Sequence, residues 1–220
     1  MHGTGPGEIA PDGSAVEYYA AVPPDEESAA LVHGAVGPGG TILELGAGAG
    51  RVTHPLLALG HPVVAVDASA GMLARISGAE TVCSPIQDLD LGRAFDGVLL
   101  MSYIIEYGGE RRPLLDACRR HVAPDGVVIV QRQPPAFHRD AGPREWSSGG
   151  GRFRMYDVVR HSEDVVSATI EYRLDGRRWT HSFTSRRFGD EELPAVLGES
   201  GLALDRFLDE EGGWILARPV

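Results

Sequence analysis

The chain has 220 residues, room for one domain with a full hydrophobic core, and its 43% apolar and 23% charged content is that of a soluble globular protein. Thirty-one acidic against 20 basic side chains give a net charge of −11, the wrong sign for gripping a phosphate backbone, so nucleic acid is not expected as a partner. Every basic residue is Arg and there is no Asn, which excludes a P-loop, a pyridoxal-phosphate Schiff base and a protein-kinase centre.

Residues 1–14 are polar and rich in Gly and Pro, with no basic segment followed by an apolar one. They read as a loose tail on a cytoplasmic protein. From residue 29 onward, short apolar runs alternate with helical ones. Strands are expected at 41–45, 63–67, 81–83, 97–101 and 127–130, each nearly continuous in apolar residues, as strands buried on both faces of a parallel sheet are. Helices are expected at 29–36, 52–59, 69–76 and 112–122. Gly37-Pro-Gly-Gly40 and Ala123-Pro-Asp-Gly126 stand just before strands, where turns belong. This rhythm implies a doubly wound α/β sheet.

After Gln131 the pattern changes. Residues 133–151 read as a long loop, followed by strands at 153–160, 165–173 and 178–187, the last two joined by Leu174-Asp175-Gly176-Arg177, with Asp-Gly as the hairpin signal. A helix at 189–199 and strands at 203–207 and 213–217 close the chain. No run is long enough to cross a bilayer, and Cys83 and Cys118 lie in no metal-binding spacing, so neither a membrane nor a metal is expected.

The chemistry is concentrated in Glu44-Leu-Gly46-Ala-Gly48-Ala-Gly50-Arg51, directly after the first of these strands and before a helix. Glycines there let the backbone turn sharply and let a ligand approach the main chain. Asp67 ends the next strand, 21 residues after Gly46, where an acidic side chain accepts hydrogen bonds from ribose hydroxyls. Capping of the following helix is its bland alternative.

The run resembles the first motif of class I S-adenosylmethionine-dependent methyltransferases, (Asp/Glu)-x-Gly-x-Gly-x-Gly, and is similar to that family through Val66-Asp67-Ala68-Ser69, Gly71-Met72-Leu73, Phe95-Asp96 and Val122-Ala-Pro-Asp-Gly126. The resemblance covers about residues 40–132 and implies a Rossmann-like seven-stranded sheet with a C-terminal antiparallel strand, here carrying an antiparallel hairpin insert after strand five. It implies one methyltransferase domain over 1–220, with a cofactor-binding core at 41–132 and, at 133–187, an insert for the acceptor or for a homodimer contact. S-adenosylmethionine is the implied cofactor and S-adenosylhomocysteine its product. Glu44, Gly46, Ala47, Gly48 and Gly50 would line the methionine part, Asp67 the ribose, and Ala68, Met72, Ile86 and Gln87 the adenine. Met101, Ser102 and Tyr103 would face the sulfonium, and Tyr18 or Tyr19 would close over the cofactor.

The expected reaction is in-line methyl transfer to a small-molecule acceptor, at N or O, in bacterial secondary metabolism. Tyr103 would stabilise positive charge near the methyl, and Glu106 is the candidate base, with Tyr107, His138, His161 and His181 beside it as others. Insert aromatics Phe137, Trp146, Phe153, Tyr156, Tyr172 and Trp179 would either wall an acceptor pocket or pack the extra strands. Two other functions share the glycine loop. One is a non-catalytic S-adenosylmethionine-binding protein. The other is an NAD(P)-dependent reductase, which the G-x-G-x-G spacing and the missing Lys disfavour.

Overall fold

A computed structural model describes residues 1–107 and 109–220. Seven strands form the main sheet, in the order β11-β12-β6-β5-β2-β3-β4. These are β2 (Ile42–Leu45), β3 (Val63–Asp67), β4 (Glu80–Cys83), β5 (Phe95–Leu100), β6 (Val122–Gln131), β11 (Leu202–Phe207) and β12 (Trp214–Pro219). The five from β2 to β6 pair in parallel, whereas β12 and β11 add antiparallel at one edge. The continuous apolar runs have the expected cause: β2 is buried at every position because helices cover both faces. Helices α2 (Glu26–Val36) and α3 (Thr53–Ala58) lie over Ile42, Val63, Leu99 and Ile129. On the other face α5 (Arg111–His121) and α7 (Leu193–Gly198) lie over Leu43, Leu45, Val98 and Val128.

The chain runs from β2 outward to β3 and β4, then returns to the other side of β2 to form β5. The strand order reverses between β2 and β5, and the crevice beyond the carboxyl ends of those strands is where doubly wound sheets bind ligands.

The insert is a second sheet and not an extension of the first. Its order is β1-β10-β9-β8-β7, all antiparallel, built from β7 (Arg144–Ser148), β8 (Gly151–Arg160), β9 (Val165–Leu174), β10 (Arg177–Arg186) and, unexpectedly, β1 (His2–Thr4). The Asp175-Gly176 hairpin joins β9 to β10 as expected, with both residues at positive φ.

The tail is therefore not loose. His2, Gly3 and Thr4 pair with Ser182, His181 and Thr180, and the indole of Trp179 donates to the Pro6 carbonyl at 2.8 Å. Ala10 packs with Val16, Ala49 and Met72, carrying the segment across to the glycine loop. Polar and Gly-rich composition hides this order, because backbone pairing to a distant edge strand leaves no periodicity in the sequence. Three further elements were not expected: α1 (Val16–Ala21), α6 (Pro135–Arg139) and β7. The helix expected at 69–76 is short, α4 (Ala70–Leu73), capped by the Ser69 hydroxyl on the Met72 amide. Among the described residues no helix is long and apolar enough to cross a membrane.

Candidate functional site

One cavity of about 970 Å³ opens at the reversal between β2 and β5 and continues beneath the second sheet. Its floor begins with the glycine loop. The Gly46 and Ala47 amides both donate to the Val66 carbonyl, at 2.8 and 2.9 Å, which docks the loop on β3. Gly46, Gly48 and Gly50 all have positive φ, so the turn needs residues that tolerate it. A Cβ on Gly48 would meet nothing within 4 Å, because that position faces the cavity. A Cβ on Gly50 would stand against the His54 ring and Ile76, and Gly50 does not line the cavity. Its expected place beside the cofactor is corrected to a place in the turn.

Two carboxylates stand at the strand ends. Asp67 accepts the Gly48 amide at 2.9 Å on one oxygen and the Ser69 amide at 2.8 Å on the other, which fixes its plane at the cavity wall. Burial pushes its pKa up, against the opposing pull of those amides. The helix cap is Ser69, not Asp67, so the bland alternative for Asp67 does not apply. Glu44 accepts the Thr53 hydroxyl at 2.6 Å. Burial raises its pKa to about 7, the Thr53 bond lowers it and the nearby Asp67 raises it.

Ala68, Met72, Ile86 and Gln87 line the next part of the cavity, with Pro85 beside them. Met101, Ser102 and Tyr103 line it beyond β5. Ser102 and Tyr103 are both left-handed, at φ 57° and 60°. Two such non-Gly residues in succession store backbone strain of about 1–3 kcal/mol each, as residues at ligand sites often do. The Ser102 amide holds this bend by donating to the Gln131 side chain at 2.8 Å. Tyr103 keeps its proton, burial having raised its pKa.

Four expected site residues, Tyr18, Glu106, His138 and His161, lie outside the cavity. Tyr19 lines the cavity, but Tyr18 is turned into the packing of the second sheet, its ring stacked 4.6 Å from Tyr172 and 5.7 Å from Trp179. Glu106 does not line the cavity: it is 2% exposed and accepts the Gln133 amide at 3.0 Å. Its pKa is raised to about 7 by burial, with Arg132, Arg111 and Arg187 pulling it down. It is a buried anchor beneath the cavity wall and does not reach the cavity as a base would. His161 bonds Ser167 outside the cavity, and His138 is buried on Ser185.

Of the aromatics, Phe137, Trp146 and Tyr172 line the cavity under the second sheet, whereas Trp179 and Phe153 pack in its core, and Tyr156 takes neither place. Asp12, Ser14, Asp25, Gln131 and Gln133 line it too and were not placed there by sequence, and the candidates Tyr107 and His181 also line it. Asp12 and Ser14 come from the segment expected to be loose, so no sequence signal marked them.

Residues 43–130 match the family model described as a methyltransferase domain. Those residues form a methyltransferase domain of the class I S-adenosylmethionine-dependent kind. This methyltransferase is 29% identical over 97 residues to a ubiquinone biosynthesis O-methyltransferase of Nitrobacter winogradskyi, a match over 40% of this chain and 37% of that protein. It is 30% identical over 136 residues to the cypemycin N-terminal methyltransferase of a Streptomyces, over 57% of this chain and 56% of that one. The match thus spans about half or less of the length of these curated relatives. The whole fold is shared with an S-adenosylmethionine-bound amino pentose methyltransferase of Micromonospora echinaspora, at TM-score 0.68, 19% identity, and 94% and 93% coverage of the two chains.

Proposed function

We propose that this methyltransferase moves the methyl group of S-adenosylmethionine to a nitrogen of a small polar acceptor, in the cytoplasm and within a biosynthetic pathway. The observation that carries this reading is the single cavity that joins the glycine loop and Asp67 to an aromatic chamber under the second sheet. The residues present fit the cofactor: an open approach at Gly48, a fixed carboxylate at Asp67, and a second, buried carboxylate at Glu44. A nitrogen acceptor is favoured by the amino pentose methyltransferase and the cypemycin N-terminal methyltransferase to which the chain is similar. Oxygen, the atom named for the ubiquinone relative, is the second reading.

S-adenosylmethionine, when bound, would supply an electrophilic methyl on a sulfonium that keeps the sulfur–carbon electron pair, and the acceptor would give its lone pair to the methyl and its proton to solvent. The protein's part is alignment. Asp67 would hold the ribose hydroxyls and Glu44 the ammonium of the methionine portion, so that the methyl points toward the chamber. Tyr103, kept as a neutral phenol, would offer its ring and oxygen to the positive charge near the methyl.

Thermal unfolding with S-adenosylhomocysteine and, separately, NADH tests this. At about 100 times its dissociation constant a ligand adds about 2.7 kcal/mol, on the order of 5–10 °C for a chain of this size. The expected result is a shift with S-adenosylhomocysteine alone, lost in Asp67→Ala. A shift with NADH alone would remove the methyltransferase reading.

A further inference from the structure

Tyr107 and Gln133 both line the cavity that joins the glycine loop to the second sheet. Tyr107 follows a short 3₁₀ turn (Ile104–Glu106) after β5. Its ring meets Tyr103 edge-on at 6.4 Å on the cofactor side and Phe183 at 5.2 Å on the other. Gln133 follows β6 and is 8% exposed. Its main chain is fixed from both sides. The Gln133 amide donates to buried Glu106, and the preceding Arg132 guanidinium donates to the Gly212 and Phe188 carbonyls and pairs with Asp190. From that anchored position the Gln133 side-chain amide donates to the Tyr107 hydroxyl at 2.8 Å.

Among the described residues neither group has another side-chain partner, yet both line the cavity. The phenol proton, the Gln133 carbonyl oxygen and the second Gln133 N–H are therefore left over. Were the bond between them reversed, the phenol oxygen and both amide N–H groups would be left over instead. Either way the pair shows the cavity at least one donor and one acceptor, side by side.

We propose that Tyr107 and Gln133 hold the methyl acceptor through two adjacent polar groups, one of them the atom that is methylated, so that the fitting class of acceptor is a vicinal amino alcohol. The proposal rests on the methyltransferase reading above. The amine N–H donates to Gln133, which turns the nitrogen lone pair away from the side chain and leaves it free for the methyl. The neighbouring hydroxyl oxygen accepts the Tyr107 proton. An amine without the hydroxyl leaves the buried phenol proton unpaired, and a site built to hydrogen-bond a hydroxyl discriminates strongly against the analogue that lacks it.

The probes are trans-2-aminocyclohexanol and cyclohexylamine, a matched pair differing in the hydroxyl. Melting is followed at saturating S-adenosylhomocysteine, and methyl transfer from S-adenosylmethionine is followed in parallel. The wild-type protein should respond to the amino alcohol at a concentration about tenfold or more below that for the amine. Tyr107→Phe and Gln133→Leu should each erase that preference, chiefly through KM for the amino alcohol. The proposal is overturned if the wild-type protein shows no preference, if neither probe shifts its melting, or if both variants keep the preference. Those failures are separate from failure of the methyltransferase reading, which would show as no shift with S-adenosylhomocysteine itself.

Discussion

Burial in the cleft raises the Glu44 pKa to about 7 against an ordinary 4.5, so the free protein holds a proton there below neutrality. The folded chain therefore holds a proton between pH 4.5 and 7 that the unfolded chain has lost, and this group's contribution to stability declines as pH rises through that range. Glu44→Gln should raise the melting temperature of the free protein at pH 8 more than at pH 5.5; equal effects at both would mean that Glu44 is not protonated in the cleft. A ligand ammonium reverses the preference, because it needs the carboxylate. Affinity for S-adenosylhomocysteine should rise up to about tenfold per pH unit below 7 and level off above it, with one proton released on binding, as calorimetry in buffers of different ionisation enthalpy would read. A Glu44→Gln protein with the same slope would show that the titrating group lies elsewhere. Gly48 makes a second test at this scale. Its φ of 55° puts about 1–2 kcal/mol on Gly48→Ala, but the new methyl points into open cavity. Ligand affinity should therefore fall by an order of magnitude or more while the melting temperature falls only a few degrees. If the alanine variant binds S-adenosylhomocysteine as well as the wild-type protein, the loop does not cradle the ligand.

At the scale of elements, the parallel strands and the loop between β2 and α3 were legible because their physics is local. Burial on both faces forces continuous apolar runs such as Val63-Val-Ala-Val66, and the turn forces glycines at 46, 48 and 50. What stayed hidden depends on partners far away in sequence. Tyr18 and Tyr19 are adjacent, yet only Tyr19 reaches the cavity, since Tyr18 stacks on Tyr172 from β9. Glu106 and Tyr107 likewise part company because the chain leaves the 3₁₀ turn for an extended conformation at Tyr107. One is sunk under Gln133 while the other faces the ligand space. The second sheet has its own small core, in which Trp179 is fully buried among Ala15, Tyr18, Tyr172 and Leu174. Trp179→Ala should cost about 3–5 kcal/mol, and Trp179→Phe less, the remaining loss being the Pro6 carbonyl left without its indole donor. Urea unfolding measures both. Equal losses would mean that ring packing contributes little and that the indole bond, lost in both variants, carries the effect.

At the scale of the molecule, the two sheets meet over the cavity and the segment of residues 2–16 crosses from one to the other. It begins as β1 on β10, passes Trp179 at Pro6, gives the Asp12 carbonyl to the His181 ring at 3.2 Å, and reaches the glycine loop through Ala10, packed with Ala49 and Met72. Asp12 and Ser14 line the cavity on the way, so a ligand seated on the loop is walled by chain that is anchored in the other sheet. Binding should then stabilise the second sheet as well as the first, although the carboxylates proposed to hold the ligand, Glu44 and Asp67, lie at β2 and β3. In hydrogen exchange, S-adenosylhomocysteine should slow the amides of residues 10–16 and of β1 and β10 together with those of the glycine loop. Removing residues 1–7 deletes β1 and the Pro6 carbonyl but leaves Asp12 and Ala10. The shortened chain should bind the ligand more weakly and lose the added protection in β10, while the amides of β2, β5 and β6 keep theirs. Protection confined to the glycine loop and the Asp67 region in the intact chain would show that the segment walls the cavity without joining the stability of the two sheets.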